Sequence, residues 1–422
     1  MKRIAIIITV ALASFTANAQ QTLVLDTCIE HAYQKLEFEK ITQSYTESAE
    51  LAEKNIKQNW YPKLDLDGSF TYQNENISIP LELPTPGFEA PVAPLNINRL
   101  VVNISQTIYD GSVTSSLKKV EAAKYNTYQK EVEIDKIQVR SKVTQLFVSA
   151  NLIDGNVLIL KDKKVIVEQR LKVLKNAANA GATPMINIKM LEAEIMQLDQ
   201  VILDAEYSSK AMRASLSEIT GLEITETTIL EMPDPEVVYS SDVSQRAELQ
   251  MFDAQMMSID AQSDFTGSNR LPKISAFASL GAGSPGYDIF KDEIAPMAMV
   301  GVKLKWNIWD WNKTSNTKQV LTINKEVIQS KKVQATTQFV SELKSQEIEI
   351  EKLTRLIAQD EDMIKIREEI TAIKSVELEN GTITSTEYLN ELNKENEAKL
   401  NREVHQLKLV LAKLTYLIIQ GK

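Results

Sequence analysis

Two histidines, His31 and His405, and one cysteine, Cys28, are all that the 422-residue chain offers for imidazole or thiol chemistry. Neither histidine has a cysteine or carboxylate arrangement of metal-ligand type nearby. No glycine-rich phosphate loop occurs, and no nucleophile elbow. Carboxylates abound, but they sit among lysines along long helical stretches, the pattern of a solvated face. These residues predict no catalytic group, no metal and no cofactor, and therefore not an enzyme. A single cysteine cannot form an internal disulfide. Cys28 follows Leu25-Asp26-Thr27, whose acidic member spoils a lipid-attachment pattern, so a small apolar position on a helix is expected. A net charge of -10 argues against nucleic-acid binding, which needs a basic face. What remains is noncovalent: alternating strands, heptad stripes and capping residues.

These must be placed by the chain's organisation. Residues 1–19 read as a signal peptide, with Lys2 and Arg3 at the start, the apolar stretch Ile4–Phe15 and the small-x-small pattern Ala17-Asn18-Ala19. That stretch is too short to span a bilayer, which needs about 20 apolar residues. Later apolar runs are interrupted by charges, so no transmembrane helix is expected. A membrane-embedded form would then have to be a β-barrel.

The mature chain repeats itself at an offset of about 200 residues. Tyr109-Asp110-Gly111 answers Trp309-Asp310-Trp311, Gly181 answers Gly381, and Gly221 answers Gly421. Tyr61-Pro62-Lys63 and Leu271-Pro272-Lys273 differ by about 210, the extra residues falling in the loop between Pro80 and Pro94, which holds five prolines. The first repeat is assigned to residues 20–221, with a strand pair over about 62–109 and a helical hairpin over about 112–220. Residues 222–241 form a linker. The second repeat, 242–422, has its strand pair over about 271–309 and its hairpin over about 313–420.

The strand segments alternate strictly. Leu64, Leu66, Phe70 and Tyr72 share one face, and Asp65, Asp67, Ser69 and Thr71 the other. Leu100, Val102, Ile104 and Ile108 alternate with Asn103, Ser105 and Thr107. Ile274, Ala276, Ala278 and Leu280 form a weaker stripe. Val300, Val302, Leu304, Trp306 and Ile308 alternate with Lys303, Lys305 and Asn307. One oily and one polar face over about ten residues is the pattern of barrel strands, and it predicts Val102, Ile104, Val302 and Leu304 against lipid with Asn103, Ser105, Lys303 and Lys305 facing a lumen. Terminal aromatics such as Tyr61, Tyr109, Trp309 and Trp311 suit a membrane interface. Ser112–Ala180 and Lys313–Asn380 hold no proline and together one glycine, Gly155, which predicts helices of about 100 Å each. Asp110 and Asp310 are expected to cap their first turns, and Gly181 and Gly381 to end them. The returning helices are expected over Pro184–Thr220 and Thr384–Gln420. Helices over Asp242–Asn269 and about Asp26–Asn59 would complete the lengths and bring the chain ends to the linker around Pro233 and Pro235. Leu191, Ile195, Leu198, Ile202, Ala205, Ser209, Met212, Leu216 and Ile219 alternate spacings of four and three, a coiled-coil seam.

On these residues the chain resembles the outer-membrane efflux protein family (TolC-like) over nearly all of its mature length. The carrying motifs are Leu25-Asp26-Thr27-Cys28-Ile29-Glu30-His31-Ala32, Trp60-Tyr61-Pro62-Lys63-Leu64, Gln245-Arg246-Ala247-Glu248-Leu249, Leu271-Pro272-Lys273-Ile274, and the strand-to-helix junctions Ile108-Tyr109-Asp110-Gly111 and Ile308-Trp309-Asp310-Trp311. The resemblance implies a mainly α protein with a transmembrane β portion: a coiled-coil helical barrel plus four strands per protomer, a homotrimer closing one twelve-stranded barrel in outer-membrane lipid. It also implies a tunnel into the periplasm and partners in a periplasmic adaptor and an inner-membrane pump. Gly181, Ala182 and Thr183, with Gly381, Thr382 and Ile383, match the family's adaptor-docking turns. Glu387 matches an acidic ring at the periplasmic entrance, with Glu391 one turn further; both could equally be surface charges paired with Lys394 or its neighbours. The ionic latch of some members has no counterpart, because its positions are Ile383 and Asn187 here, so closure is expected to rest on packing and neutral contacts. A periplasmic coiled-coil scaffold or adaptor without a barrel is the alternative, and the cargo stays open between small molecules and polypeptides.

Overall fold

The computed structural model describes residues 22–77, 91–179 and 183–421. The expected signal peptide, most of the proline-rich loop, Gly181 and Ala182 lie outside the described residues. In chain order the elements are β1 (Thr22–Val24), α1 (Leu25–Lys35), α2 (Phe38–Lys57), β2 (Lys63–Tyr72), β3 (Asn96–Tyr109), α3 (Val113–Asn179), α4 (Met185–Thr220), β4 (Ile229–Glu231), α5 (Ala247–Ser268), β5 (Lys273–Ser284), β6 (Ala295–Lys305), α6 (Lys313–Glu379) and α7 (Ser385–Gln420). The chain is mainly helical, and its two longest helices have 67 residues each.

Four expectations need correction. The N-terminal helix is two helices, because Glu37 takes φ 55 between α1 and α2. Phe38 there turns edge-on to Tyr33, with centroids 5.7 Å apart, and becomes buried. The helix expected from Asp242 starts only at Ala247, since the Asp242 carboxylate accepts the Ser244 N–H in a local turn. β6 stops at Lys305 rather than near Trp309: its partner β5 begins at Lys273, opposite Lys305, and Pro272 before it has no N–H to extend the ladder. Finally, α3 does contain an 18-residue stretch of mean hydropathy 1.4, long and apolar enough to cross a membrane by composition. Its apolar side chains Val143, Leu146, Phe147, Val148 and Ala150 are buried instead in the protein's own core.

The chain divides into two compact units. The first takes in Met1–Glu39, Glu133–Arg246 and Thr337–Lys422. One core cluster joins Leu23, Leu25, Cys28, Ile29 and Ala32 to that stretch of α3 and to Leu216, Leu407 and Leu414. β1 pairs in parallel with β4. Tyr416 accepts a hydrogen bond from the Ser240 N–H at 2.9 Å, and Gln420 donates to the Val238 carbonyl, so β1 and the end of α7 both meet the linker. Arg246 is buried: its guanidinium lies 3.7 Å above Phe339 and donates to the Ile419 carbonyl at 2.9 Å, closing the end of α7. Arg213 is buried too, donating to the Thr225 and Thr228 carbonyls and to Asp154. A second cluster packs Leu191, Leu198 and Ile202 of the predicted seam against Val167, Leu174, Leu378, Tyr388, Leu389 and Leu392. Leu191 is fully enclosed, a position where truncation to Ala costs about 2–5 kcal/mol. Burial pushes the Cys28 thiol up to about 11, which keeps it an inert apolar group.

The second unit, Lys40–Val132 and Ala247–Thr336, holds one antiparallel sheet of order β2-β3-β5-β6. Its helices are tied by ion pairs, Lys325 to Asp260 and Lys332 to Asp253. The two strand pairs have one register. Lys63 faces Ser105 as Lys273 faces Lys305, and Leu64 faces Ile104 as Ile274 faces Leu304. The duplication seen in the sequence is thus a duplication of hydrogen-bonding register.

Candidate functional sites

Strand alternation sorts the sheet into two faces. One carries Leu64, Leu66, Phe70 and Tyr72 beside Leu100, Val102 and Ile104, then Ala276, Ala278 and Leu280, then Val300, Val302 and Leu304. Phe70, Leu64, Val300 and Val302 are exposed, with Val300 at 79%. The other face is polar and internally bonded. Asn103 donates to Asp67 at 2.5 Å and accepts from Ser279 at 2.5 Å, a chain of side chains across three strands. Phe277 on this face lies over Gly301, where a Cβ would come within 2.7 Å of its ring.

Where the strands hand over to the long helices, Asp110 and Asp310 act alike. The Asp110 carboxylate accepts the Thr114 N–H at 2.7 Å, and Asp310 accepts the Thr314 N–H at 3.0 Å. Thr314, through its side chain and its backbone, holds the Asp310 carboxyl below its usual range. Tyr109 and Trp309 precede these caps, half exposed and largely exposed. The next two residues are left-handed in both repeats: Gly111 and Ser112 at φ 66 and 64, Trp311 and Asn312 at φ 53 and 62. Gly111 has no alternative, since a Cβ there would sit 2.9 Å from the Leu271 Cβ and 3.1 Å from the Pro272 carbonyl. Trp311 adopts the same backbone with an indole 83% exposed, edge-on to Trp309 at 5.8 Å.

The hairpin ends form the third region. α6 ends in paired backbone bonds, Thr382 N–H to the Glu377 carbonyl and Gly381 N–H to the Leu378 carbonyl, with Gly381 at φ 72. The Thr382 hydroxyl also donates to Glu377. Ile383 packs against the second core cluster. Thr183, the described residue of the first docking turn, accepts a bond from Asn187. Asn187 is buried and its carbonyl oxygen accepts the Ser385 N–H at 3.2 Å, so the latch position missing a charge supplies a neutral bond between the hairpins. The expectation of neutral contacts alone needs correction, however. Arg170 of α3 pairs with Glu379 and Ser375 of α6 and stacks on Tyr388 of α7, an ionic tie between the same hairpins. Its residues lie about 200 positions apart, beyond any local sequence signal.

Glu387 is committed to its own helix: its carboxylate accepts the Thr384 N–H, and its N–H donates to the Thr384 hydroxyl, a capping box. Glu391 receives Lys394 at 2.7 Å and Arg367 at 3.1 Å, and Lys394 first among them holds its carboxyl below the usual range. His405 pairs with Asp360 at 2.6 Å between α7 and α6. Among the described residues no group of three or more His, Cys, Asp or Glu side chains is placed to hold a metal.

No protein-family model matches the sequence, and no curated protein matches it either. Solved structures do. The outer membrane protein VceC of Vibrio cholerae superposes with TM-score 0.72 at 12% identity, over 94% of this chain and 96% of that one. CusC, whose structures concern folding and transmembrane channel formation, gives TM-score 0.75 at 12% identity, over 94% and 91%. The outer membrane channel CmeC of Campylobacter jejuni gives 0.69 at 13%, over 94% and 85%. Over 94% of its length, this chain has the fold of these outer-membrane channels.

Proposed function

We propose that the protein is the outer-membrane duct of a tripartite export system, a passive TolC-like channel that works as a homotrimer and has no catalytic step. One observation carries this: a four-stranded antiparallel sheet, apolar and exposed on one face, polar on the other, with both edges unpaired, and leading directly into two 67-residue helices. An open edge has no place in lipid, where unmet backbone groups cost several kcal/mol each. Three such sheets joined edge to edge supply twelve strands and a closed barrel in the outer membrane, with the helices as a tunnel in the periplasm. On this reading the chain is a passive duct, and the energy for transport comes from an inner-membrane pump coupled through a periplasmic adaptor. Heat-resistant trimers in the outer-membrane fraction that conduct in planar bilayers are the expected result. A soluble periplasmic monomer would sink the duct in favour of a coiled-coil scaffold or adaptor.

The docking turns are assigned to Gly181, Ala182 and Thr183 with Gly381, Thr382 and Ile383. Among the described residues no atom lies within 4 Å of where a Cβ on Gly381 would be, which leaves room at that turn for a partner. Bulky residues at Ala182 or Thr382 should abolish export while trimers still assemble; loss of assembly would make these turns merely structural. Glu387 is assigned to the entrance ring, with Glu391 a weaker member because Lys394 and Arg367 already offset its charge. Glu387→Gln should therefore lower cation selectivity and block by multivalent cations more than Glu391→Gln.

A further inference from the structure

The internal duplication fixes more than the fold of one copy. Adding about 210 to β2 and about 200 to β3 reproduces the pairing of β5 with β6 residue for residue: Lys63 with Ser105 becomes Lys273 with Lys305, and Gly68 with Leu100 becomes Ala278 with Val300. The same operation on the central β3–β5 pair has nothing to land on inside the protomer. It maps β3 onto β6 and β5 onto β2, which are the two outer edges of the sheet. Resting on the homotrimer reading above, we propose that β6 of one copy pairs with β2 of the next in the register that β3 and β5 already display.

That register makes a definite seam. Ser105 opposite Phe277 maps to Lys305 opposite Asp67 of the next copy. Asn103 opposite Ser279 maps to Lys303 opposite Ser69, and Val102 opposite Leu280 maps to Val302 opposite Phe70. Tyr109 opposite Ile274 maps to Trp309 opposite Leu64. Apolar residues meet apolar ones on one face throughout. On the other, a lysine meets an aspartate.

Three features of the single copy, none used to build the register, agree with it. Lys305 sits directly across from Lys273, a like-charge pair that is unfavourable in a sheet. Among the described residues neither lysine has an ion-pair partner. Asp67 of the next copy would relieve that repulsion. Asp67 uses one oxygen, Oδ2, on Asn103, which leaves its other oxygen for the ammonium group. Third, residues 306–309 are not a strand here although their equivalents, 106–109, are. The latter have β5 beside them, whereas the former would gain a partner only from β2 of the next copy. A register slip by one residue would put Lys305 on the oily face, so the choice of register is not continuous.

Disulfide trapping in the full-length chain tests this, because Cys28 is fully buried and gives no background. Directly opposed residues in an antiparallel ladder have Cα atoms about 4.5–5.5 Å apart, within disulfide range, whereas a two-residue offset moves them to about 7–8 Å, outside it. Under mild oxidation, Ser69→Cys with Lys303→Cys should give covalent trimers on denaturing gels. So should Asp65→Cys with Asn307→Cys, a second matched pair that guards against one variant misfolding. The offset pairs Ser69→Cys with Lys305→Cys and Thr71→Cys with Lys303→Cys should not. In parallel, Asp67→Lys and Lys305→Asp should each deplete heat-resistant trimers, and the double swap should restore them. Trapping by an offset pair, or trimers that neither matched pair traps, would overturn the register. Absence of trimers from the unmodified protein would instead overturn the homotrimer reading, and this seam with it.

Discussion

The two strand-to-helix junctions solve one geometric problem with different residues. At Asp110 and at Asp310 a carboxylate closes the first helical turn, and in both the chain then passes through two left-handed residues. Only the first junction is enclosed: Gly111 lies against Leu271 and Pro272, and any side chain would collide with them. The second carries a tryptophan in the same backbone state, strained for a residue of its size and almost wholly exposed. In the first repeat the neighbour is the entry to β5 of the same copy. In the second, under the proposed trimer, that place would fall to the entry to β2 of the next copy. A glycine therefore marks where the fold closes on itself, and a tryptophan where it is left open.

Exchanging the two residues gives the largest expected contrast. Gly111→Trp adds left-handed strain of about 1–2 kcal/mol and overpacking of about 1–3 kcal/mol, and should sharply lower the denaturation midpoint of detergent-solubilised protein. Trp311→Gly relieves strain and gives up only the exposed edge-on contact with Trp309, two opposing terms, so the midpoint should move by less than about 1 kcal/mol in stability. Equal losses would end the distinction between a closed and an open junction. The strands next to the junctions should behave alike. Val102→Arg and Val302→Arg should each cost about 2–4 kcal/mol if they lie near mid-bilayer, against almost nothing for Lys303→Arg. Equal tolerance of Arg at Val302 and Lys303 would count against this assignment of the faces. Smaller again is the loss of a cap: Asp110→Ala, at a buried site, should cost about 1 kcal/mol. The smallest effect is one of pH. Asp310 has a folded pKa below its ordinary 3.8, so its contribution is complete above that value and fades as pH falls toward the folded one. Asp310→Ala should flatten stability over that acid range, while an unchanged acid limb would mean that the cap carries no weight.

Much of this was legible in the sequence because punctuation residues repeat. Aspartates at 110 and 310 and glycines at 221, 381 and 421 stand where caps and left-handed turns occur. The four alternating segments form one sheet with the faces that their alternation predicts. What could not be read depends on partners remote in sequence. No glycine or proline marks the break at Glu37, which rests on Phe38 packing against Tyr33. The conformation of Trp311 follows only from alignment with Gly111. Gln245-Arg246-Ala247 is recognisable as a motif, yet the task of Arg246 shows only when the end of α7 arrives beside it. At the hairpin ends, Arg170 is one lysine-rich-helix cation among many until Glu379 and Tyr388 surround it. Neither bulk charge nor periodicity separates such residues from solvated ones.

Asp154 is the one charged side chain between Val143 and Leu160, and in the folded chain it binds Arg213 and Ser209. An exported polypeptide passes the secretion machinery before that fold exists. There a stretch of mean hydropathy 1.4 is long and apolar enough by composition to compete for lateral entry into the inner membrane. A carboxylate near the middle of such a stretch raises the cost of insertion by about 2.5–3.5 kcal/mol. In an exported chain, the aspartate that later anchors Arg213 would first disfavour lateral insertion of this stretch.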